Sequence, residues 1–261
     1  MEHHGRVYGR MLLPYSVLGF LLIALIDPNG ASCSAVERRM RLRDVSAKES
    51  PISVSGYVTY RYDDSKNFPF SYQENISAKN VSSKSVLLMV MHVEANGTPG
   101  RDETYSQEYF FENALEPGAV EVHDEPGTSF GQAVNGTPLI DSEHDPHAVA
   151  KVRVEFVQFS DGSTWGDAGS AEHVLKMRSE TLAELDKLEH IYEQAGEDAF
   201  LEELARADDY LPVISQLKGG CRNKAKTSNC AHNAVQRTID AARDHQTEMD
   251  SGVARQMPAP H

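Results

Sequence analysis

A chain of 261 residues has room for one large or two small domains, and its 40% share of hydrophobic residues is enough for a substantial core. Its 39 acidic and 25 basic side chains give a formal net charge of -14. This balance argues against nucleic acid and anionic lipid surfaces as partners, because both are bound through clustered lysine and arginine.

The first 35 residues have the composition of a secretion signal. Arg6 and Arg10 precede an apolar run from Val17 to Ile26, and small residues follow at positions 30–35. The longest apolar run, residues 11–26, is shorter than the roughly 20 residues that a bilayer-spanning helix needs. We therefore predict that residues 1–35 are a signal peptide, with cleavage after Ala35, and that the mature chain is periplasmic or extracellular.

A second route of processing is open at Cys33. The segment Gly30-Ala31-Ser32-Cys33 resembles the cleavage box of bacterial lipoproteins, in which the cysteine becomes lipidated. Gly30 departs from that box, which has leucine at this position. Contact with a membrane is thus expected only through the signal peptide or through a lipid on Cys33.

Short strands are predicted from Ile52 onward, after a charged segment at 36–51 that is predicted to be a linker. Apolar and polar residues alternate as in half-buried strands, and turn signals such as Asn96-Gly97 separate the runs. The predicted strands cover residues 52–62, 68–76, 86–93, 105–111, 120–122 and 149–159. Because no helix is predicted between them, they favour an antiparallel sandwich over a parallel sheet.

The clearest of these strands is the last. Residues 151–156 alternate strictly, with Val152, Val154 and Phe156 on the apolar face. The turn Asp161-Gly162 follows, and Trp165, the only tryptophan, comes directly after it. We predict that Trp165 is buried against the sandwich and that its loss costs stability and not a function.

Three turn motifs carry a resemblance to a known kind of module. They are Asn80-x-Ser82-x-Lys84-x-Val86, Leu115-x-Pro117-Gly118 and the run from Phe159 to Trp165. Together they resemble the immunoglobulin-like, fibronectin-like modules of uncharacterised exported bacterial proteins, over residues of about 50–168. The resemblance implies a β-sandwich at 52–168 and carries no catalytic residue.

After Gly169 the apolar period changes to that of amphipathic helices. Apolar residues recur at steps of three and four from Ala171 to Ala195, and Gly196 stands where a helix would end. Further helices are predicted up to Met249, so that residues 170–250 form a helical region and 251–261 a disordered tail. The predicted fold class is therefore α+β: an antiparallel, immunoglobulin-like β-sandwich followed by a C-terminal α-helical region.

Two cysteines lie in the helical region. Cys221 and Cys230 do not have the paired spacing of a zinc site, and an exported chain meets an oxidising compartment. We predict a disulfide between them, closing a short loop.

Residues 141–147 contain side chains that could form a metal site. Asp141, His144 and His147 are potential metal ligands in a polar loop, although a solvated loop without metal explains the same composition. Neither a nucleophile elbow nor a phosphate-binding loop is present in the sequence. We therefore predict no catalytic residue and no cofactor.

These patterns favour an exported, non-enzymatic binding or structural protein of the cell envelope, whose partner is a protein or another envelope component. Two alternatives stay open at this point. One is a metal-dependent hydrolase that uses the 141–147 loop. The other is a small-ligand carrier with a pocket between the sheet and the helices.

Overall fold

The structure, a computed structural model, describes residues 35–63, 68–95, 101–126, 139–141, 149–222 and 230–256. All of them belong to one unit, Ser34–His261. The strands of this part of the chain are β1 (Ala35–Asp44), β2 (Ile52–Asp63), β3 (Phe68–Asn80), β4 (Val86–Ala95), β5 (Arg101–Glu108), β6 (Val120–Pro126), β7 (Leu139–Asp141), β8 (Ala150–Phe159) and β9 (Thr164–Gly166). The helices are α1 (Glu172–Arg206), α2 (Pro212–Arg222) and α3 (Cys230–Gln256). None of these helices is both long and apolar enough to cross a membrane.

The strands form one mixed sheet, in the order β5-β4-β8-β1-β2-β3-β6, that curls into a half-barrel. Strand β1 is antiparallel to β2 but parallel to both β7 and β8. The predicted antiparallel, immunoglobulin-like sandwich is therefore wrong. Inward and outward residues alternate in the same way in a sandwich and in a curled sheet, so alternation alone predicts the strands and not how they are arranged.

The expected linker at 36–51 contains all but the first residue of β1, which lies near the middle of the sheet. Met40 and Leu42 are buried on its inner face, whereas Arg39, Arg41 and Arg43 are exposed on its outer face. The alternation is thus present, but the dense positive charge of the outer face hides it. The parallel pairing of Leu42 with Ala150 places β1 against the strand that the sequence identified most clearly.

The inner face of the half-barrel is filled by a hydrophobic core to which β1, β2, β3, β4 and β8 contribute. At the open side, side chains connect the two edge strands. The rings of Tyr105 on β5 and His123 on β6 are 5.8 Å apart, and the Tyr105 hydroxyl donates a hydrogen bond of 2.9 Å to Glu74 Oε1 on β3. The core is therefore closed off between β5 and β6 without a strand-to-strand ladder among the described residues.

The motif that begins at Asn80 works as a structural turn. The side chain of Asn80 is fully buried, and its Nδ2 donates to the carbonyls of Lys84, at 2.8 Å, and Leu115, at 2.9 Å. Its Oδ1 accepts a hydrogen bond from the backbone N–H of Ser82. The motif thus ties the β3–β4 turn to the segment before β6, in a sheet that is not a sandwich.

The helices pack on the outer face of the sheet. Leu88, Val90 and Phe156 of β4 and β8 form one cluster with Ala171, at the start of α1. A larger cluster joins all three helices to Leu87 of β4 and to Phe110 in the loop after β5. Sheet and helices therefore share buried side chains.

Helix α1 bends at Gly196, whose φ of +80° is outside the helical range. Across the bend, the rings of Tyr192 and Phe200 are 5.8 Å apart, and Lys187 Nζ lies 2.6 Å from Glu203 Oε1. The prediction that a helix ends at Gly196 is thus confirmed, because this residue separates two helical segments of α1. Helix α3 extends to Gln256, into the segment predicted to be a disordered tail.

Candidate ligand-binding cavity

A cavity of about 530 Å³ lies between the end of β5 and the three helices. Such a volume is within the range of small-molecule sites, which run from about 300 to 1,000 Å³. Each helix contributes residues three or four positions apart, so one face of each helix lines the space. The lining residues are Ser106, Gln107, Glu108, Phe111, Glu112, Val174, Met177, Arg178, Thr181, Pro212, Val213, Gln216, Leu217, Cys230, Ala234, Arg237 and Thr238.

The lining is amphipathic. Its apolar part comes from all three helices and from the loop after β5, with Phe111, Met177 and Leu217 as the largest groups. Its polar part includes two arginines, Arg178 and Arg237. Mixed apolar walls with a few directed polar groups are typical of sites for small organic ligands.

Arg178 is a buried charged group of the cavity lining, only 8% exposed. Its Nε and Nη2 each donate a hydrogen bond of 3.0 Å to the carboxylate of Glu108, and its Nη1 donates one of 2.7 Å to Gln158 Oε1. The guanidinium carbon lies 4.4 Å from the centre of the Phe110 ring. The pair therefore connects α1 to β5 and β8 at a fixed geometry.

Glu108 is held by more than its arginine. The backbone N–H of Phe110 donates a second hydrogen bond to Oε1, at 3.0 Å. Burial raises the pKa of Glu108 above its ordinary value, and the charge and hydrogen bonds of Arg178 oppose that rise without cancelling it. Both carboxylate oxygens are engaged, so Glu108 serves to hold Arg178 in place.

The sequence signal for this pair is slight but present. Arg178 lies on the apolar stripe of α1, four residues after Val174 and four before Leu182. A basic residue within such a stripe indicates a buried charge with a partner. The identity of the partner could not be read locally, because Glu108 is 70 positions away in the chain.

The predicted metal ligands are not brought together by the described residues. Asp141 ends the short strand β7, opposite Arg39 of β1, while His144 and His147 lie outside the described residues. The described part of the chain contains no cluster of three potential metal ligands. A metal site in the 141–147 loop therefore stays a prediction.

The predicted disulfide also stays a prediction. Cys221 lies in the last turn of α2 and Cys230 is the first residue of α3. The structure shows no disulfide among the side chains it describes, and that of Cys221 is outside them. Cys33, the predicted lipidation site, lies outside the described residues as well.

Trp165 was predicted to be buried, but in the structure it is only partly buried. It lies on β9, paired with Val157 of β8, and its ring packs against the half-barrel core while remaining half-exposed. It is not among the residues that line the cavity.

Comparisons with known proteins give no functional lead. No family model matches the chain, and no curated protein or solved structure is significantly similar to it. The cavity is therefore the feature from which a function has to be argued.

Proposed function

We propose that this chain is an exported, non-enzymatic protein that binds a small organic ligand in the cavity between β5 and the three helices. The observation that carries the proposal is the cavity itself, whose volume is about 530 Å³. Small-molecule sites are clefts or cavities of this size, so the volume supports a ligand-binding role.

The state of Glu108 supports binding over catalysis. A general base needs a lone pair directed at the substrate. Both oxygens of Glu108 instead accept hydrogen bonds from Arg178 and from the backbone of Phe110. The acid nearest the interior of the cavity is thus already committed to a structural role.

The export part of the proposal rests on the sequence of residues 1–35. N-terminal sequencing of the protein from its native host tests it, with a mature start between Ala31 and Val36 as the expected result. An intact Met1 in the soluble fraction would contradict export. A mass increment that disappears in Cys33→Ser would identify a lipid anchor.

The binding part is tested with an uncharged fluorescent probe, N-phenylnaphthylamine, titrated into the full chain. We expect a saturable rise in fluorescence with a stoichiometry near one. Ala234→Trp places an indole in the cavity lining and should abolish the signal, because the probe and the ring would compete for one space.

The matched control is Ala183→Trp, which adds the same indole at an exposed position of α1 outside the lining. It should bind the probe like the wild type. Far-UV circular dichroism verifies that both variants are folded. Equal binding by Ala234→Trp and the wild type would show that the probe binds outside the cavity, for example to residues 1–34. That result would contradict the proposal.

A further inference from the structure

We propose that the ligand of the cavity is an amphipathic carboxylic acid, with a hydrocarbon body on the apolar lining and a carboxylate bound by Arg237, Thr181 and the unused N–H groups of Arg178. This inference rests on the proposed function, since it assigns a chemical class to the ligand of the same cavity.

The first step concerns the acceptors of the cavity. Glu108 Oε1 accepts from Arg178 Nη2 and from the Phe110 N–H, and Oε2 accepts from Arg178 Nε. Gln158 Oε1 accepts from Arg178 Nη1. The charged acceptor nearest the interior is thus fully used, so an ammonium group on a ligand would find no free carboxylate there.

The second step concerns the donors, which are in surplus. A guanidinium has five N–H groups, and three of those of Arg178 are engaged. Thr181 is 2% exposed and lines the cavity, yet its hydroxyl makes no hydrogen bond to the described residues. Arg237, also on the lining, has no ion pair with the described residues. A ligand acceptor at the cavity wall can therefore receive hydrogen bonds from these side chains without displacing an existing partner.

The third step concerns charge. Arg178 and Glu108 offset each other, and the other two charged groups of the lining, Glu112 and Arg237, are both exposed. Glu112 is engaged in an interaction of its own, whereas Arg237 has no ion pair with the described residues. Arg237 therefore supplies the positive charge that can pair with a ligand. Guanidinium and carboxylate form short, charge-assisted hydrogen bonds, which makes a carboxylate the best match for this set of donors.

The fourth step concerns the rest of the ligand. Phe111, Val174, Met177, Val213 and Leu217 provide an apolar surface formed by the loop after β5 and the three helices. A ligand gains affinity there by removing hydrocarbon from water. Polar donors beside an apolar wall fit a molecule that has one anionic end and one hydrocarbon end.

The test compares three ligands with the same alkyl body: decanoate, decanol and decylamine. Isothermal titration of the full chain at neutral pH should give decanoate the tightest binding, by about tenfold over decanol, the gain expected from one charge-assisted contact. Decylamine should bind most weakly. Arg237→Gln and Thr181→Val should each bring decanoate toward the affinity of decanol and leave decanol unchanged.

The control variants are Arg243→Gln and Thr247→Val, on the same helix as Arg237 but outside the cavity lining. They should bind all three ligands like the wild type. Equal affinity for decanoate and decanol, or tighter binding of decylamine, would overturn the ligand class. A preference for decanoate that survives both Arg237→Gln and Thr181→Val would overturn the assigned carboxylate site. In those cases N-phenylnaphthylamine would still bind in the cavity. Failure of the proposed function would give a different result: N-phenylnaphthylamine would not bind, or would bind Ala234→Trp as well as the wild type.

Discussion

Arg178 illustrates what a buried charge requires at the scale of one residue. Removing a guanidinium from water costs several kcal/mol, and the attraction of its partner repays this only when the remaining hydrogen bonds are made. Glu108, Gln158 and the Phe110 ring provide those contacts. Because the partners lie on β5, on β8 and in the loop after β5, this residue fixes the position of α1 on the sheet.

Arg178→Met should therefore be strongly destabilising. It leaves the Glu108 carboxylate buried without its cation, a change that typically costs about 3–5 kcal/mol. Adding Glu108→Leu in the same chain should recover part of the loss, since the stranded charge is then gone. Urea unfolding of the two single variants and the double variant measures this, and strictly additive effects would contradict a coupled pair.

The same variant should show a defined dependence on pH. Arg178 opposes the rise in the pKa of Glu108 that burial causes, so the pKa rises further in Arg178→Met. A raised carboxyl pKa contributes stability that is present below the ordinary value of 4.5 and is lost as pH rises through the folded-state pKa. The stability deficit of Arg178→Met should thus grow with pH above 4.5, whereas Arg243→Met, at an exposed position of α3, should show no such trend.

Trp165→Ala should cost about 2 kcal/mol, less than the roughly 3–5 kcal/mol typical of a fully buried aromatic residue, because the ring is half-exposed on β9. Phe156→Ala is the comparison and should cost more, since Phe156 lies on β8, is 2% exposed and packs against the start of α1. Thermal melts rank the two variants. A midpoint shift below about 2 °C for Trp165→Ala would mean that the ring does not support the core.

At the scale of elements, α3 meets the turn between β8 and β9 closely. A Cβ at Gly252 would lie 2.8 Å from the carbonyl carbon of Asp161 and closer still to its oxygen, so only glycine fits between helix and turn. Gly252→Ala should destabilise by about 1–3 kcal/mol through overpacking. Gly219→Ala on α2, where nothing is within 4 Å, should stabilise by about 0.5–1 kcal/mol. A neutral Gly252→Ala in chemical unfolding would refute the close contact.

The predicted disulfide would join the end of α2 to the start of α3. Both helices line the cavity, so the bond would restrain its wall. Non-reducing peptide mapping should recover Cys221 and Cys230 in one linked pair, and two alkylatable thiols in the native protein would refute the pairing. In the chain-entropy model, a disulfide that closes this short loop stabilises the folded state by about 2–3 kcal/mol.

The elements themselves were largely predictable, because alternation and helical spacing are local. The predicted strands at 52–62, 86–93 and 149–159 agree with β2, β4 and β8 within a few residues. Strand β1 was missed because arginine occupies every outward position around Met40. The pairing of β1 with β8 could not be predicted, since parallel or antiparallel direction leaves no mark in the alternation of a single strand.

At the scale of the whole molecule, the cavity could not be predicted either, because it depends on contacts between residues that are distant in the sequence. Its lining comes from four separate segments, and each contributes residues that look like ordinary amphipathic surface in the sequence. Only the packing of α1 against β5 brings Arg178 to Glu108. The small-ligand alternative named a pocket between sheet and helices, but its residues could not be chosen before the fold was known.

Sheet and helices should unfold together. Phe110 and Leu87 belong to the sheet region yet are buried in the helical core, so neither part keeps its buried surface without the other. Trp165 fluorescence reports the sheet, and circular dichroism at the helical band reports α1–α3. The two denaturation curves should coincide, as in a two-state transition, and loss of helical signal at lower urea would contradict this coupling.

The position of β1 has a consequence for synthesis. A ribosome that has translated residues through β6 has released two separate pieces of sheet, β1-β2-β3-β6 and β4-β5, and β8 is the strand that joins them. Contacts so distant in the chain are associated with slow folding. The nascent polypeptide therefore cannot complete its sheet until β8, at residues Ala150–Phe159, has been translated.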